Sequence, residues 1–213
     1  MTDELGLRER KKLATRRALC DAALKLALDE GVATLTPERI AEEVHVSPRT
    51  FRNYFSSKEE AIVAGLQDRA HEVADHLRNR PADEPIWESL RAVLVPALET
   101  GMPGHDLMAL LGLIRCHHAL LAEHLTSFED LSRQMAEVIA ERTGTDVNRD
   151  IYPRLLADAS GIALKTSLTF WATGTTGRSL ADIFGEALDL LSRGLPLPAS
   201  TPEHSADTGP PAR

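Results

Sequence analysis

An all-α fold is predicted by three observations. The 213-residue chain is 43% hydrophobic but only 4% aromatic, and the dominance of leucine and alanine favours helices packed by aliphatic ridges. No run of alternating β-branched residues marks a strand. Apolar residues instead recur at helical spacing, and Gly101, Gly104, Gly144, Gly174 and Gly177 punctuate the later segments. The expected organisation is a three-helix N-terminal head (residues 8–56), a helical body (57–194) and a disordered tail (195–213), whose run GLPLPASTPEHSADTGPPAR is rich in Pro, Ser and Thr.

The head begins with RERKKLATRR, Arg8 to Arg17, which holds six basic residues against Glu9. The apolar helix RRALCDAALKLALDEG follows. Thr36 is a good N-cap, because its hydroxyl accepts a free backbone N–H, and Pro37 suits the first helical position, where no N–H is needed. Ile40, Ala41 and Val44 give that short helix one apolar face. His45-Val46 leaves room only for a tight turn. Ser47-Pro48 then repeats the cap-plus-proline start. Two helices of about eight residues joined by a short turn match a helix-turn-helix, the motif that places its second helix in the DNA major groove.

That second helix has two faces. Phe51 and Phe55, with Tyr54 beside them, should pin it to the head core. Arg49, Thr50, Arg52 and Asn53 lie opposite. Arginine bonds guanine O6 and N7 bidentately, asparagine reads adenine, and threonine meets a thymine methyl. Ser47 and Pro48 at the helix start, Thr36 at the preceding one, and Lys58 at the next are placed near phosphates. The net charge of −8 does not oppose this, because the basic residues cluster beside the reading motif and screening hides distant acids.

VSPRTFRNYFSSKEEAI resembles the signature of the tetracycline-repressor (TetR) family of bacterial regulators, and RRALCDAALKLALDEG resembles that family's first helix. The resemblance covers residues 14–65. Three positions depart from the pattern. His45 stands where glycine is usual in the turn, Arg52 where an aromatic residue is common, and Ala27 where phenylalanine is usual, which shifts weight onto Leu26 and Leu28.

Ser57-Lys58-Glu59-Glu60 reads as a capping box that opens a connecting helix to Asn79. Further helices are expected at 85–99, 103–115, 118–143, 150–173 and 179–193, with Pro96 kinking or ending the first. Leu155, Leu156, Ala159, Ile162, Ala163, Thr166 and Phe170 mark one late helix. Leu180, Ile183, Phe184, Ala187, Leu188 and Leu191 mark the last. Both carry more apolar surface than one partner covers. The family resemblance implies that this pair packs against its twin in a homodimer, which suits two half-sites of a palindromic double-stranded operator; burial of that surface within one body is the alternative.

The resemblance also implies an effector pocket in the body. Trp87, Leu90, Met102, Met108, Leu111, Phe128, Met135, Phe170 and Trp171 are candidates for an apolar lining, with ordinary core packing as the alternative for each. RPADEPIWESL and DIYPRLLADASGIALKTSLTFW look like the mycofactocin-type subgroup, some of whose members respond to acyl-coenzyme A thioesters. On that basis Arg115, His117 and His118 face the polar part of an acyl-CoA-like or other hydrophobic effector, or simply end a helix in solvent. The expected function is a ligand-responsive repressor released from its operator by that effector. An architectural DNA-binding dimer without an effector is the alternative.

Other functions lack a motif. Cys116, His117 and His118 are consecutive, so on a helix they fan out too widely to hold one metal, and Cys20 and Cys116 are expected as two reduced thiols. His71/Asp75 and Glu72/His76 have the spacing of exposed ion pairs. No nucleophile elbow, phosphate-cradling glycine loop or His-Glu-x-x-His is present, so no catalytic residue, metal or cofactor is expected. No membrane span or apolar signal core appears, and a cytoplasmic protein is expected.

Overall fold

The computed structural model describes residues 6–100 and 104–196, and among these it contains nine helices and no strand. The expected tail lies almost wholly outside the described residues, as does Met102. The head holds α1 (Leu7–Asp29), α2 (Pro37–Glu43) and α3 (Pro48–Arg52). The connecting helix is α4 (Lys58–Arg78). The body adds α5 (Ile86–Thr100), α6 (Gly104–Cys116), α7 (His118–Thr143), α8 (Tyr152–Trp171) and α9 (Leu180–Ser192). No described helix is long and apolar enough to cross a membrane.

Local chemistry sets the boundaries. Thr36, Ser47, Ser57 and Ser179 each cap a helix by accepting a backbone N–H three residues on, filling donors that a helix start leaves empty. The capping box differs in one partner from the expected arrangement. The Glu60 carboxylate accepts from the backbone N–H and the hydroxyl of Ser56, both at 2.7 Å, rather than from Ser57. Helix α5 runs on through Pro96 to Thr100. The expected pairs His71/Asp75 and Glu72/His76 do not form. Asp75 instead meets Arg78 on its own helix at 2.8 Å, and Glu72 reaches across to Arg17 of α1.

Three apolar clusters hold the molecule together. The first joins Leu19, Leu26, Leu35, Ile40, Phe51 and Phe55 of the head to Ala61–Ala64 of α4, and also takes in Leu110 and Ile114 of α6 and Leu120 of α7. Two body helices therefore enter the head core. Leu26 and Ala27 are buried there, whereas Leu28 is only half-buried. The second cluster links Ala74 and Leu77 of α4 to Leu90, Val138, Ile139 and Leu156, and the third packs Phe184 and Leu188 of α9 on α5 and α8.

The last two helices differ from the expectation of two surplus apolar faces. Helix α9 lies between α5 and α8, so Leu180, Ile183, Phe184 and Leu188 are all buried within the chain. Its outward residues Asp182 and Glu186 are charged. The uncovered apolar surface belongs instead to α8, where Leu155 and Ile162 are 60% and 64% exposed, with Ile151, Tyr152 and Phe170 along the same helix. Leu125 and Phe128 of α7 are exposed as well. Phe128 lies against Gly161, within 3.7 Å of where a Cβ would stand.

Candidate nucleic-acid interface

The head core fixes α3. Phe51 and Phe55 are 1% exposed, with ring centroids 5.7 Å apart, and Tyr54 packs beside Phe55 at 6.4 Å, half-buried. With these rings turned inward, Arg49, Arg52 and Asn53 project from the surface and Thr50 lies at its edge. The regular part of α3 is five residues rather than the eight expected, because Asn53 caps it. Backbone bonds from Tyr54 and Phe55 to the Phe51 carbonyl carry the coil one turn further, so the outward face stays continuous.

The turn before α3 holds His45 at φ +56°. This is the left-handed region, where a side chain costs about 1 kcal/mol more than glycine. It lets the chain reverse between α2 and α3, with the Val46 N–H bonded to the Ala41 carbonyl at 2.9 Å. At the α3 start, the Ser47 hydroxyl accepts the Thr50 N–H at 3.1 Å and lies 2.8 Å from the Thr50 hydroxyl. Pro48 is exposed at the first helical position.

The cations near this face are engaged to different degrees. Arg49 has no hydrogen-bond partner among the described residues, nor does the Asn53 side chain, and both are exposed. Arg52 meets Glu38 of α2 at 2.8 Å in a pair that is well exposed on both sides; such a pair is worth under about 1 kcal/mol, so another anion can compete for it. Lys58, expected near a phosphate, is already engaged within the chain. Its ammonium donates to the carbonyls of Val32 and Leu35, 2.8 Å from each, and so ties the start of α4 to the loop before α2. Thr36 is exposed, with its hydroxyl occupied by the Arg39 N–H at 3.2 Å. Arg8 and Arg10–Lys12 stand exposed on the first turns of α1.

Family models decide the assignment. The model for bacterial regulatory proteins of the tetR family matches residues 19–64, and that for the MftR C-terminal domain matches residues 84–196, more than half of the chain. The chain belongs to the tetR family. This tetR-family DNA-binding transcriptional regulator is 34% identical over 195 residues to the HTH-type transcriptional regulator TcmR of Streptomyces glaucescens, which covers 87% of this chain and 86% of that one. Its fold resembles that of SmeT in complex with triclosan, at a TM-score of 0.59 and 20% identity over 90% of this chain and 98% of the other. It also resembles Thermus thermophilus FadR in complex with lauroyl-CoA, at a TM-score of 0.51 and 25% identity over 89% and 100% of the two chains. Regulators of the family bind DNA as dimers.

The body of the tetR-family chain does not bring its candidate ligand residues together. Leu111 packs against the head cluster, and Trp87 against the two body clusters. Met108 is half-buried on α6. Phe128 and Phe170 are 45% and 47% exposed, and Arg115 and His118 stand in solvent at the α6–α7 junction, with His117 half-buried between them. Of the other candidates, Leu90 is core, Met135 packs on the second cluster, and Trp171 sits 3.0 Å from where a Cβ on Gly104 would stand. A shallow hollow of about 400 Å³ opens beside Trp171, walled by Gly174 and Thr176–Arg178.

The sequence reading missed the pairing between α1 and α4. Arg16 and Asp68 are 52 positions apart and bind at 3.0 Å. The only local signal was an arginine one helical turn before the buried Leu19 and Cys20.

Proposed function

We propose that the chain is a ligand-responsive transcriptional repressor that reads a palindromic operator as a homodimer. The observation that carries this reading is the outward face of α3, where Arg49 and Asn53 stand exposed, with no side-chain hydrogen-bond partner among the described residues, above the buried rings of Phe51 and Phe55. Ser47, Thr50, Arg52 and Tyr54 surround that face, with Thr36, Pro48 and Lys58 at its margin. The dimer rests on α8, because Leu155, Ile162 and Phe170 leave apolar surface that the described residues of one copy do not cover. Two heads held one helical turn apart, roughly 34–36 Å, match adjacent half-sites.

A small hydrophobic effector in the body, acyl-CoA-like in one form, turns binding off. Support comes from α6, which carries half-buried Met108 and Leu111 and inserts Leu110 and Ile114 into the head core. A ligand that shifts α6 is felt directly by the head. A 100-fold preference for the non-binding shape corresponds to about 2.7 kcal/mol of coupling. Triclosan, in the SmeT complex, and the lauroyl chain of lauroyl-CoA, in the FadR complex, are both apolar groups, which suits this class of effector.

The architectural reading, a DNA-binding dimer without effector, is favoured by one observation: the candidate lining residues are dispersed over separate clusters and surfaces. Fluorescence anisotropy with DNA from upstream of the chain's own gene tests both readings. Specific binding should exceed that to a scrambled duplex by about 10³ or more, and lauroyl-CoA should release it. Equal, salt-sensitive binding to both duplexes would refute operator reading. Specific binding untouched by lauroyl-CoA, a medium-chain free acid and a hydrophobic small-molecule panel would favour the architectural dimer.

A further inference from the structure

We infer that Arg16 and Asp68 form a strut that positions helix α3 against the connecting helix α4, and that operator affinity depends on this strut although neither residue lies on the outward face of α3. The inference rests on the proposed operator reading. Arg16 sits on α1 one turn before Leu19 and Cys20, so it extends the buried face of that helix toward α4. One turn further along, the two helices meet closely, since a Cβ on Gly65 would lie 3.6 Å from the Cys20 Cβ. Just beyond this contact Arg16 Nε donates to both Asp68 oxygens, at 3.0 and 3.3 Å, and Nη2 adds a third bond at 3.1 Å. The same guanidinium lies 4.7 Å from the centroid of the Phe55 ring.

A short rigid path results. It runs from Asp68 on α4, through the planar guanidinium of Arg16, to Phe55 and on to Phe51 in α3. Arginine suits this place because its fork is fixed and stacks on rings, whereas lysine presents a flexible point charge. The side chains of Arg16 and Asp68 are only 26% and 29% exposed, so the pair is partly shielded. Burial opposes the Arg16 charge, but the Asp68 hydrogen bond and charge more than restore it and hold its pKa above the ordinary value. One turn along, Arg17 and Glu72 form a similar pair with 62% and 49% of their side chains exposed. That pair is the natural control, because solvent weakens it.

The sign of the effect separates positioning from simple charge. Asp68 is an acid in a protein that binds a polyanion, so removing its charge should tighten DNA binding if electrostatics alone mattered. The strut requires the opposite. Asp68→Asn and Arg16→Gln should each weaken operator binding about tenfold, or about 1.4 kcal/mol. The double variant should lose little more than the worse single one, since both changes break the same link. Glu72→Gln should stay within about twofold of the parent, in either direction.

The experiment titrates the full-length protein and these variants against the operator duplex. It also follows amide exchange across residues 48–55 in DNA-free protein, with residues 180–192 as the internal reference. Exchange that speeds up only at 48–55 in Asp68→Asn, together with weaker binding, supports the strut. Binding that is unchanged or tighter in Asp68→Asn, additive losses in the double variant, or unaltered exchange at 48–55 overturns it. A parent protein with no operator preference defeats the proposed function, while the exchange comparison still decides the strut.

Discussion

In the head, the residues that would read DNA and the rings that hold them lie within seven positions of one another, from Arg49 to Phe55. In the body, the residues offered for a ligand lie on α5, α6, α7 and α8, and they separate into different packing clusters or stand in solvent. Both regions are helical and both are held by aliphatic packing. They differ in the range of the interactions that assemble a site. The head's outward face follows from the pitch of a single short helix once its two phenylalanines are buried. A lining in the body requires several helices to agree on angle and depth, and no single segment encodes that.

The sharpest way to break this comparison is to remove the anchor of the head. Phe51→Ala should destabilise the protein by about 3–5 kcal/mol, through lost transfer energy and a cavity, and should abolish operator binding in the same titration. Urea unfolding followed by circular dichroism measures the first effect. Retained binding would mean that α3 does not depend on its aromatic core.

A smaller change tests the surface that the body leaves open. Ile162→Glu puts a charge on the exposed face of α8 and should convert dimer to monomer, with at least about 2 kcal/mol of association lost per interface. Sedimentation equilibrium reads the mass, and the monomer's melting temperature should fall little, because this residue is already exposed in the chain. A dimer of unchanged affinity would move the interface elsewhere.

Arg49→Ala and Asn53→Ala should each cost about 1–3 kcal/mol of discrimination between the operator and base-substituted duplexes while the dimer persists. The outcome that counts against the reading face is an unaltered preference in both variants, measured by competition binding. His45→Gly should have the smallest effect, a gain of about 0.5–1 kcal/mol in stability from relief of the left-handed turn, seen as a higher urea midpoint. A loss there would mean that the imidazole makes a contact worth more than the strain.

The acid limb sharpens the body side of the comparison. Arg80 first, and then Ser89, hold the Glu84 carboxyl down to about 2 from an ordinary 4.5. A depressed carboxylate stabilises the fold above its unfolded pKa, and that contribution fades as pH falls through the folded value. Glu84→Gln should therefore lower the melting temperature at pH 6 and lose most of that difference by about pH 2. The cysteines give a simple check of burial. Cys20 is buried, and burial pushes its thiol up to about 12, whereas Cys116 is exposed, so one thiol per chain should react with a thiol reagent before unfolding.

Much of this molecule was legible along the chain. Caps at Thr36, Ser47 and Ser57, prolines at the first helical positions, and glycines after the later segments set helix starts and ends to within a residue or two, the end of α3 excepted, because those signals act over three or four residues. The inward set Phe51 and Phe55 and the outward set Arg49 and Asn53 were equally readable, since helical pitch alone separates them. The details that could not be read along the chain were those decided by a neighbour in space. Lys58 was expected near a phosphate, and in the fold its ammonium already serves two carbonyls of the loop before α2. Glu72 was paired with His76 on its own helix, but α1 brings Arg17 within reach. The last helix was expected to meet a twin or to be buried within one body, and α9 lies between α5 and α8, which bury Leu180, Ile183, Phe184 and Leu188 in their own chain.

By itself, then, the sequence determined the helices, the turn that reverses the chain at His45 and the chemistry of the outward face of α3, all products of hydrogen bonds and pitch between near neighbours. Only the tertiary structure decided which apolar face remains uncovered, which cations are already bonded and which helices enter the head core. Those outcomes depend on how helices far apart in sequence exclude water together, and helix packing angles are not encoded in any one of them.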